Sequence, residues 1–276
     1  MLAANVALAS ETVEICTDWK ASIGAGGTAF DAARQIFRSA TLDQDNRLVL
    51  EQDKVLRMPG TSKNRAELPA GTTLSGIWFS FTVRSQGKNY TVVLWNGERP
   101  ESTDQGGWGE GVAVLAVFPE GSIEPTDVAE VKQDHSTSPG ERLVRLGDED
   151  AFEILNGHTN AGQGYRLTDL FHLHNGRLRR IASGIFTLTA NAGCSQGSFD
   201  ETLRWFTDGD GANPPRIVAT VELVHAPRDF VDDCQPALRT WSETFQATYR
   251  WDTAKGRYLE AGGTLDRLLQ WNENHQ

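Results

Sequence analysis

Asn175-Gly176 places the strongest single constraint on what this chain can fold into. A type I′ turn needs positive φ at both central residues, which glycine takes freely and asparagine tolerates. An Asn-Gly pair between two apolar-rich runs therefore predicts a β-hairpin with a two-residue turn, and such a turn fixes the register. Residues 165–174 and 178–189 are expected to pair so that His174 faces Arg177, Leu173 faces Leu178 and His172 faces Arg179. Because side chains alternate across a strand, Phe171, Leu173 and Leu178 fall on one face and His172, His174, Arg177 and Arg179 on the other. The tip is expected to carry a solvated basic face on an otherwise acidic protein.

The rest of the chain extends the β pattern. Residues 73–83 and 90–95 are rich in aromatic and β-branched side chains, with a glycine in the gap, and predict a second hairpin. The apolar run 111–118 (GVAVLAVF) suits a strand buried on both faces. Further strands are expected within 47–58 and over 151–155, 217–225, 240–251 and 257–260. Two segments read as helices, 31–38 and 264–271. In the second, Leu265, Leu268 and Leu269 are spaced to cover a sheet and Thr264 stands at the N-cap position. There is no βαβ rhythm, no G-x-G-x-x-G and no G-x-x-x-x-G-K-[ST], which argues against nucleotide chemistry. The fold class expected is mostly β, with antiparallel meander or hairpin sheets and a short C-terminal helix. Residues 11–118 form an N-terminal β-rich half, 119–141 a proline- and acid-rich linker or long loop, and 142–276 a C-terminal half ending in the helix.

Charge narrows the partners. With 26 Lys and Arg against 37 Asp and Glu the net charge is −11, the wrong sign for nucleic acid or an anionic membrane surface. No apolar run reaches the roughly 18 residues of a membrane-spanning helix. Residues 1–10 end in Ala7-Leu8-Ala9 before a polar stretch, the shape of a signal-peptide cleavage site without its basic start. They read as a signal-peptide remnant, placing the protein in the periplasm or outside the cell, or as a disordered Ala-rich tail. Of three cysteines, Cys194 and Cys234 lie in polar loop-like settings and are the preferred disulfide of an exported chain, with Cys16 paired to either as the alternative.

Few side chains suggest chemistry. His172 and His174 on one strand, with His158 before it, resemble a metal-ligand set, but Arg177 and Arg179 stand directly across from the pair. No metal and no cofactor is expected, and the same face suits a small anion better, since guanidinium matches carboxylate and phosphate. The loop 156–164, with three glycines, offers His158, Asn160 and Gln163 to a ligand such as a sugar, or simply turns the chain. Trp108, flanked by glycines, is a candidate for stacking on a sugar or touching a protein partner. The acidic run 148–150 reads as a solvated turn, and Asp169 as one half of an ion pair with Arg180. Neither a G-x-S-x-G elbow nor H-E-x-x-H is present.

Residues 152–165 (FEILNGHTNAGQGY), Cys194 followed by Phe199-Asp200-Glu201-Thr202, and Tyr249-Arg250-Trp251-Asp252 with Gly256-Arg257-Tyr258 are similar to exported bacterial proteins of unknown function. The resemblance covers about the last half of the chain, implies export and a β-rich fold, and supplies no catalytic residue. The functional expectation is an exported, non-catalytic binding or interaction protein of the bacterial envelope. Its partner would be a glycan, a small anion or another protein. The alternatives are a hydrolase of an envelope polymer and a protein inhibitor of an enzyme.

Overall fold

Turn chemistry and alternation together produce a mostly β molecule with two helices among the described residues. The computed structural model describes residues 13–23, 26–59, 65–100, 111–160, 163–190, 198–207, 214–226 and 241–274. Trp108, Cys194 and Cys234 lie outside them. The chain divides into two compact units, one of residues 1–154 with 171–180 and the other of 155–170 with 181–276.

The first unit is built on a nine-stranded sheet. Its order is β4 (Thr41–Leu42), β5 (Leu48–Val49), β8 (Thr73–Ser85), β9 (Lys88–Glu98), β10 (Gly111–Pro119), β11 (Asp127–Glu130), β6 (Lys54–Arg57) and β7 (Arg65–Leu68), with β1 (Glu14–Cys16) also against β8. Pairing is antiparallel except where β11 meets β6. The expected hairpin β8–β9 turns at Gln86 and Gly87, both at positive φ (51° and 72°). From Gly111 to Phe118, β10 is buried on both faces, as its unbroken apolar run requires.

On one side of the sheet Trp78, Trp95, Val114 and Phe118 pack against Trp19 and against α1 (Ala29–Ile36). This helix follows a two-stranded ribbon, β2 (Ser22–Ile23) and β3 (Gly27–Thr28), and starts with Thr28 and Asp31 capping each other's backbone N–H. On the other side Phe81, Val92, Leu115 and Val117 meet Phe152, Phe171, Leu173 and Leu178.

The segment 119–141, expected as a linker or long loop, is strand at 127–130 and 136–141. It holds β11 and the start of β12 (Ser136–Leu146). Its prolines fall where a strand tolerates them: Pro119 ends β10, Pro125 precedes β11, and Pro139 sits in β12, the edge of its sheet. That four-stranded sheet runs β12, β13 (Glu149–Asn160), β14 (Gln163–His174) and β15 (Arg177–Ala190), and supplies residues to both units. Of the acidic run 148–150, expected as a solvated turn, only Asp148 lies in the turn. The turn is Gly147-Asp148, and Asp150 is already in β13 and 2% exposed.

The second unit contains a four-stranded meander, β16 (Ser198–Thr207), β17 (Ile217–Ala226), β18 (Trp241–Asp252) and β19 (Arg257–Gly263), followed by α2 (Leu265–Glu273). Along β18, Phe245, Ala247 and Tyr249 are buried while Thr244, Gln246 and Arg250 are exposed. Of the three leucines expected to seat α2 only Leu268 is buried, and Asn272 is buried with it. Thr264 occupies the N-cap without capping through its side chain. Its hydroxyl accepts from the Gln246 N–H at 3.0 Å instead, joining the root of the helix to β18.

Candidate functional site

The Asn-Gly turn forms as its sequence demands, with Asn175 at φ 53° and Gly176 at φ 69°. The tip is tied down rather than free. Leu178 donates its N–H to Asp127 Oδ2 at 2.7 Å, and Arg57 both pairs with Asp127 and donates to the Leu178 carbonyl at 3.3 Å. The Thr126 hydroxyl donates to Gly176 O at 2.8 Å, and the Ser85 hydroxyl to Leu173 O at 2.9 Å. His172 is 3% exposed, so this member of the basic face expected to be solvated is withdrawn from water. Burial, assisted by His174 and Arg179, depresses its pKa to about 3, which leaves the ring neutral near pH 7. Arg177 and Arg179 are exposed and His174 is half-buried. The hairpin brings these groups together at its tip.

The remaining sequence candidates are placed as follows. His158 stacks on Tyr165, with ring centroids 6.0 Å apart, and Tyr165 stacks on Phe186 at 5.1 Å, an aromatic row on the β13–β15 strands. The side chains of Asn160 and Gln163 lie outside the described residues. Asp169 is buried and accepts from the Gly184 N–H at 2.7 Å. Cys16 is a free thiol in β1 whose pKa is raised by burial and by Glu14. Among the described residues no three His, Cys, Asp or Glu converge as a metal site.

Two polar openings stand out, one in each unit. The first, of about 400 Å³, is lined by Arg84, Gly87, Asn89, Arg145 and Asp150. Its charge is largely satisfied from within. Asp150 pairs with Arg145 at 2.8 Å and accepts from the Arg84 N–H at 2.7 Å. Burial raises the Asp150 pKa, while that N–H and the two arginines oppose the rise.

The second opening, of about 550 Å³, lies on the outer face of β18 and is lined by Arg216, Thr244, Gln246, Thr248, Arg250 and the 261–264 segment. Its construction follows from strand geometry. Alternation puts Thr244, Gln246, Thr248 and Arg250 on one face in a row. Arg216 comes immediately before Ile217, which pairs with Tyr249, and lines the same opening as Arg250. Between Thr248 and Tyr249 the pairing with β19 shifts by a bulge, and Gly262, at φ 133°, carries the edge strand around it. Gly263 then runs so close to β18 that a Cβ there would collide with the Gln246 carbonyl.

This groove is rich in donors: two guanidinium groups, the hydroxyls of Thr244, Thr248 and Thr264, and the Gln246 amide. No carboxylate or imidazole lines it. Arg250 makes no ion pair among the described residues; Asp252, two residues along β18, pairs with Lys255 at 3.9 Å. Arg216 and Arg250 thus bring two positive charges to one opening on a chain with a surplus of acids.

No protein family matches the chain, and no curated protein or solved structure is similar to it. The polar row on β18 was open to reading from its alternation with Phe245, Ala247 and Tyr249. The partnership with Arg216 was not, because it depends on which strand lies beside β18.

Proposed function

We propose that this protein is a non-catalytic binding protein that takes an acidic, hydroxyl-rich ligand, of the class of a uronic-acid glycan, in the β18 groove. The observation that carries the reading is that Arg216 and Arg250 line one groove with no carboxylate in its lining. The two guanidinium groups would hold a carboxylate in the forked geometry that arginine favours, and the threonine and glutamine row would meet the ring hydroxyls. Binding rather than turnover fits the lining, which offers donors but neither a carboxylate nor an imidazole to move a proton. Export, expected from Ala7-Leu8-Ala9, belongs to the same proposal, since acidic glycans are envelope and extracellular polymers.

Calorimetric titration with a galacturonic acid tetrasaccharide and with its neutral methyl ester tests the assignment. The acid is expected to bind, the ester at least tenfold more weakly, and Arg250→Gln to remove the difference. Equal binding of acid and ester, or an unchanged affinity in Arg250→Gln, would overturn it. At 100 times its Kd the acid should stabilise the fold by about 2.7 kcal/mol.

A further inference from the structure

A buried carboxyl and a buried amide face each other under the C-terminal helix, and neither belongs to the groove. Glu201 in β16 is 8% exposed, and Asn272 in α2 is fully buried. Glu201 Oε2 accepts two hydrogen bonds, from the Leu188 N–H at 2.7 Å and from Asn272 Nδ2 at 3.1 Å. Asn272 Nδ2 also donates to the Phe186 carbonyl at 3.4 Å. The other oxygen of each group, Glu201 Oε1 and Asn272 Oδ1, is buried with no hydrogen-bond partner among the described residues. If Glu201 is ionised these are two bare acceptors, each costly to hold away from water. A single proton on Oε1 satisfies both, because the acid O–H can donate to Oδ1 while Oε2 accepts from Nδ2. A carboxylic acid and a primary amide are complementary in this way, each giving one hydrogen bond and taking one.

The surrounding charges favour the neutral acid. Asp200, the adjacent residue on β16, opposes ionisation. On β17 the residue paired with Glu201 is Leu223, and the other ionisable groups of that strand are Glu222 and His225. On β18 Glu243 is engaged by Arg267 of α2 at 2.6 Å. The other ionisable residues of α2, Asp266 and Glu273, are acids, and the 181–190 part of β15 has none. Burial is the largest influence, and with Asp200 it outweighs the two donated hydrogen bonds to raise the Glu201 pKa to about 7.

We propose that Glu201 and Asn272 form a pH-sensitive latch, in which the neutral acid holds α2 on the sheet through a reciprocal pair of hydrogen bonds and loss of its proton loosens the helix. The latch stands apart from the ligand proposed above. Its sign is fixed by linkage. A carboxyl whose value is raised in the docked state stabilises docking fully below its ordinary value near 4.5, and that stabilisation is lost as pH rises through about 7.

Hydrogen exchange of the full chain at pH 5.5 and 8.5, corrected for intrinsic rates, tests it. Peptides from 265–274 should lose about thirtyfold in protection at the higher pH, the factor that a shift from 4.5 to 7 gives between these conditions. Peptides from β10 serve as the reference. In Glu201→Gln, whose amide can make both hydrogen bonds at any pH, the α2 loss should vanish. Equal protection of α2 at both pH values in the wild type, or the same loss in Glu201→Gln, would overturn the latch. Carbon NMR of the Glu201 carboxyl in the wild type decides independently of any variant. Titration near 7 supports the latch, and titration below 5 sinks it.

Discussion

His172 in the first unit and Glu201 in the second are both buried ionisable groups favoured in their neutral forms, yet they make opposite demands on pH. Burial dominates both. At His172 the charges of His174 and Arg179 add to it and take the proton away; at Glu201 Asp200 adds to it and keeps the proton on. The folded pKa of His172, about 3, lies below its ordinary 6.5. Its contribution to stability is therefore present above pH 6.5 and lost as pH falls toward 3. Glu201 contributes below its ordinary 4.5 and loses that contribution as pH rises through about 7. One kind of burial thus makes the hairpin tip acid-labile and the C-terminal helix alkali-labile.

The largest effect expected is at His172. A depression from 6.5 to about 3 corresponds to roughly 5 kcal/mol as an upper bound on what the tip loses between pH 7 and pH 3. Hydrogen exchange of peptides from 171–180 should show that loss, and His172→Leu should flatten it. Acid sensitivity of the tip that survives His172→Leu would end the contrast with Glu201. A somewhat smaller effect is expected from Asp127→Ala, which removes the acceptor of the Leu178 N–H and the partner of Arg57. Leaving that N–H without its acceptor should cost about 3 kcal/mol. It should also admit water to His172 and return its pKa toward 6.5, which proton NMR of the imidazole would read. A histidine that stays depressed in Asp127→Ala would show that the tie to Asp127 does not maintain its burial.

How much of this was legible beforehand differs sharply between the two places. Asn175-Gly176 announced the hairpin and its turn, because the positive φ is a local demand that few residue pairs meet. Alternation said which side chains share a face but not what covers that face, so it left His172 in solvent. Thr126, Asp127 and Arg57, which hold the tip, come from about 50 to 120 residues earlier. In β16 Asp200-Glu201 interrupts the apolar pattern that marks a strand. A carboxyl inside a strand becomes tolerable only through donors such as Leu188 and Asn272, the latter 71 residues away. The helix over Glu201 was read from its leucines, yet the buried contact that distinguishes it is an asparagine. Periodicity located α2, and only the tertiary fold gave Asn272 its role.

The next effect in size sharpens the alkali-labile half. Glu201→Gln should leave thermal stability near pH 5.5 almost unchanged and raise it by about 2 kcal/mol at pH 8.5, where the wild-type carboxyl is ionised. A melting profile across that range should show the two proteins diverging above pH 7. Divergence below pH 5 would mean that the carboxyl is ionised in the folded state at neutral pH and would remove the contrast.

The smallest effect concerns a charge that stays in water. Arg250, unlike His172 and Glu201, is exposed, and it lines the groove together with Arg216. Replacing it with glutamine removes one of the groove's two positive charges and no ion pair among the described residues. The free protein should therefore gain about 0.5 kcal/mol in chemical denaturation at low salt, and less at high salt as screening weakens the repulsion. Acidic-glycan binding should fall in the same variant. A residue whose removal strengthens the fold and weakens a complex is retained for the complex. A loss of about 1 kcal/mol or more on Arg250→Gln would make the arginine a structural member of the sheet instead. The β18 groove would then hold no charge set aside for a partner.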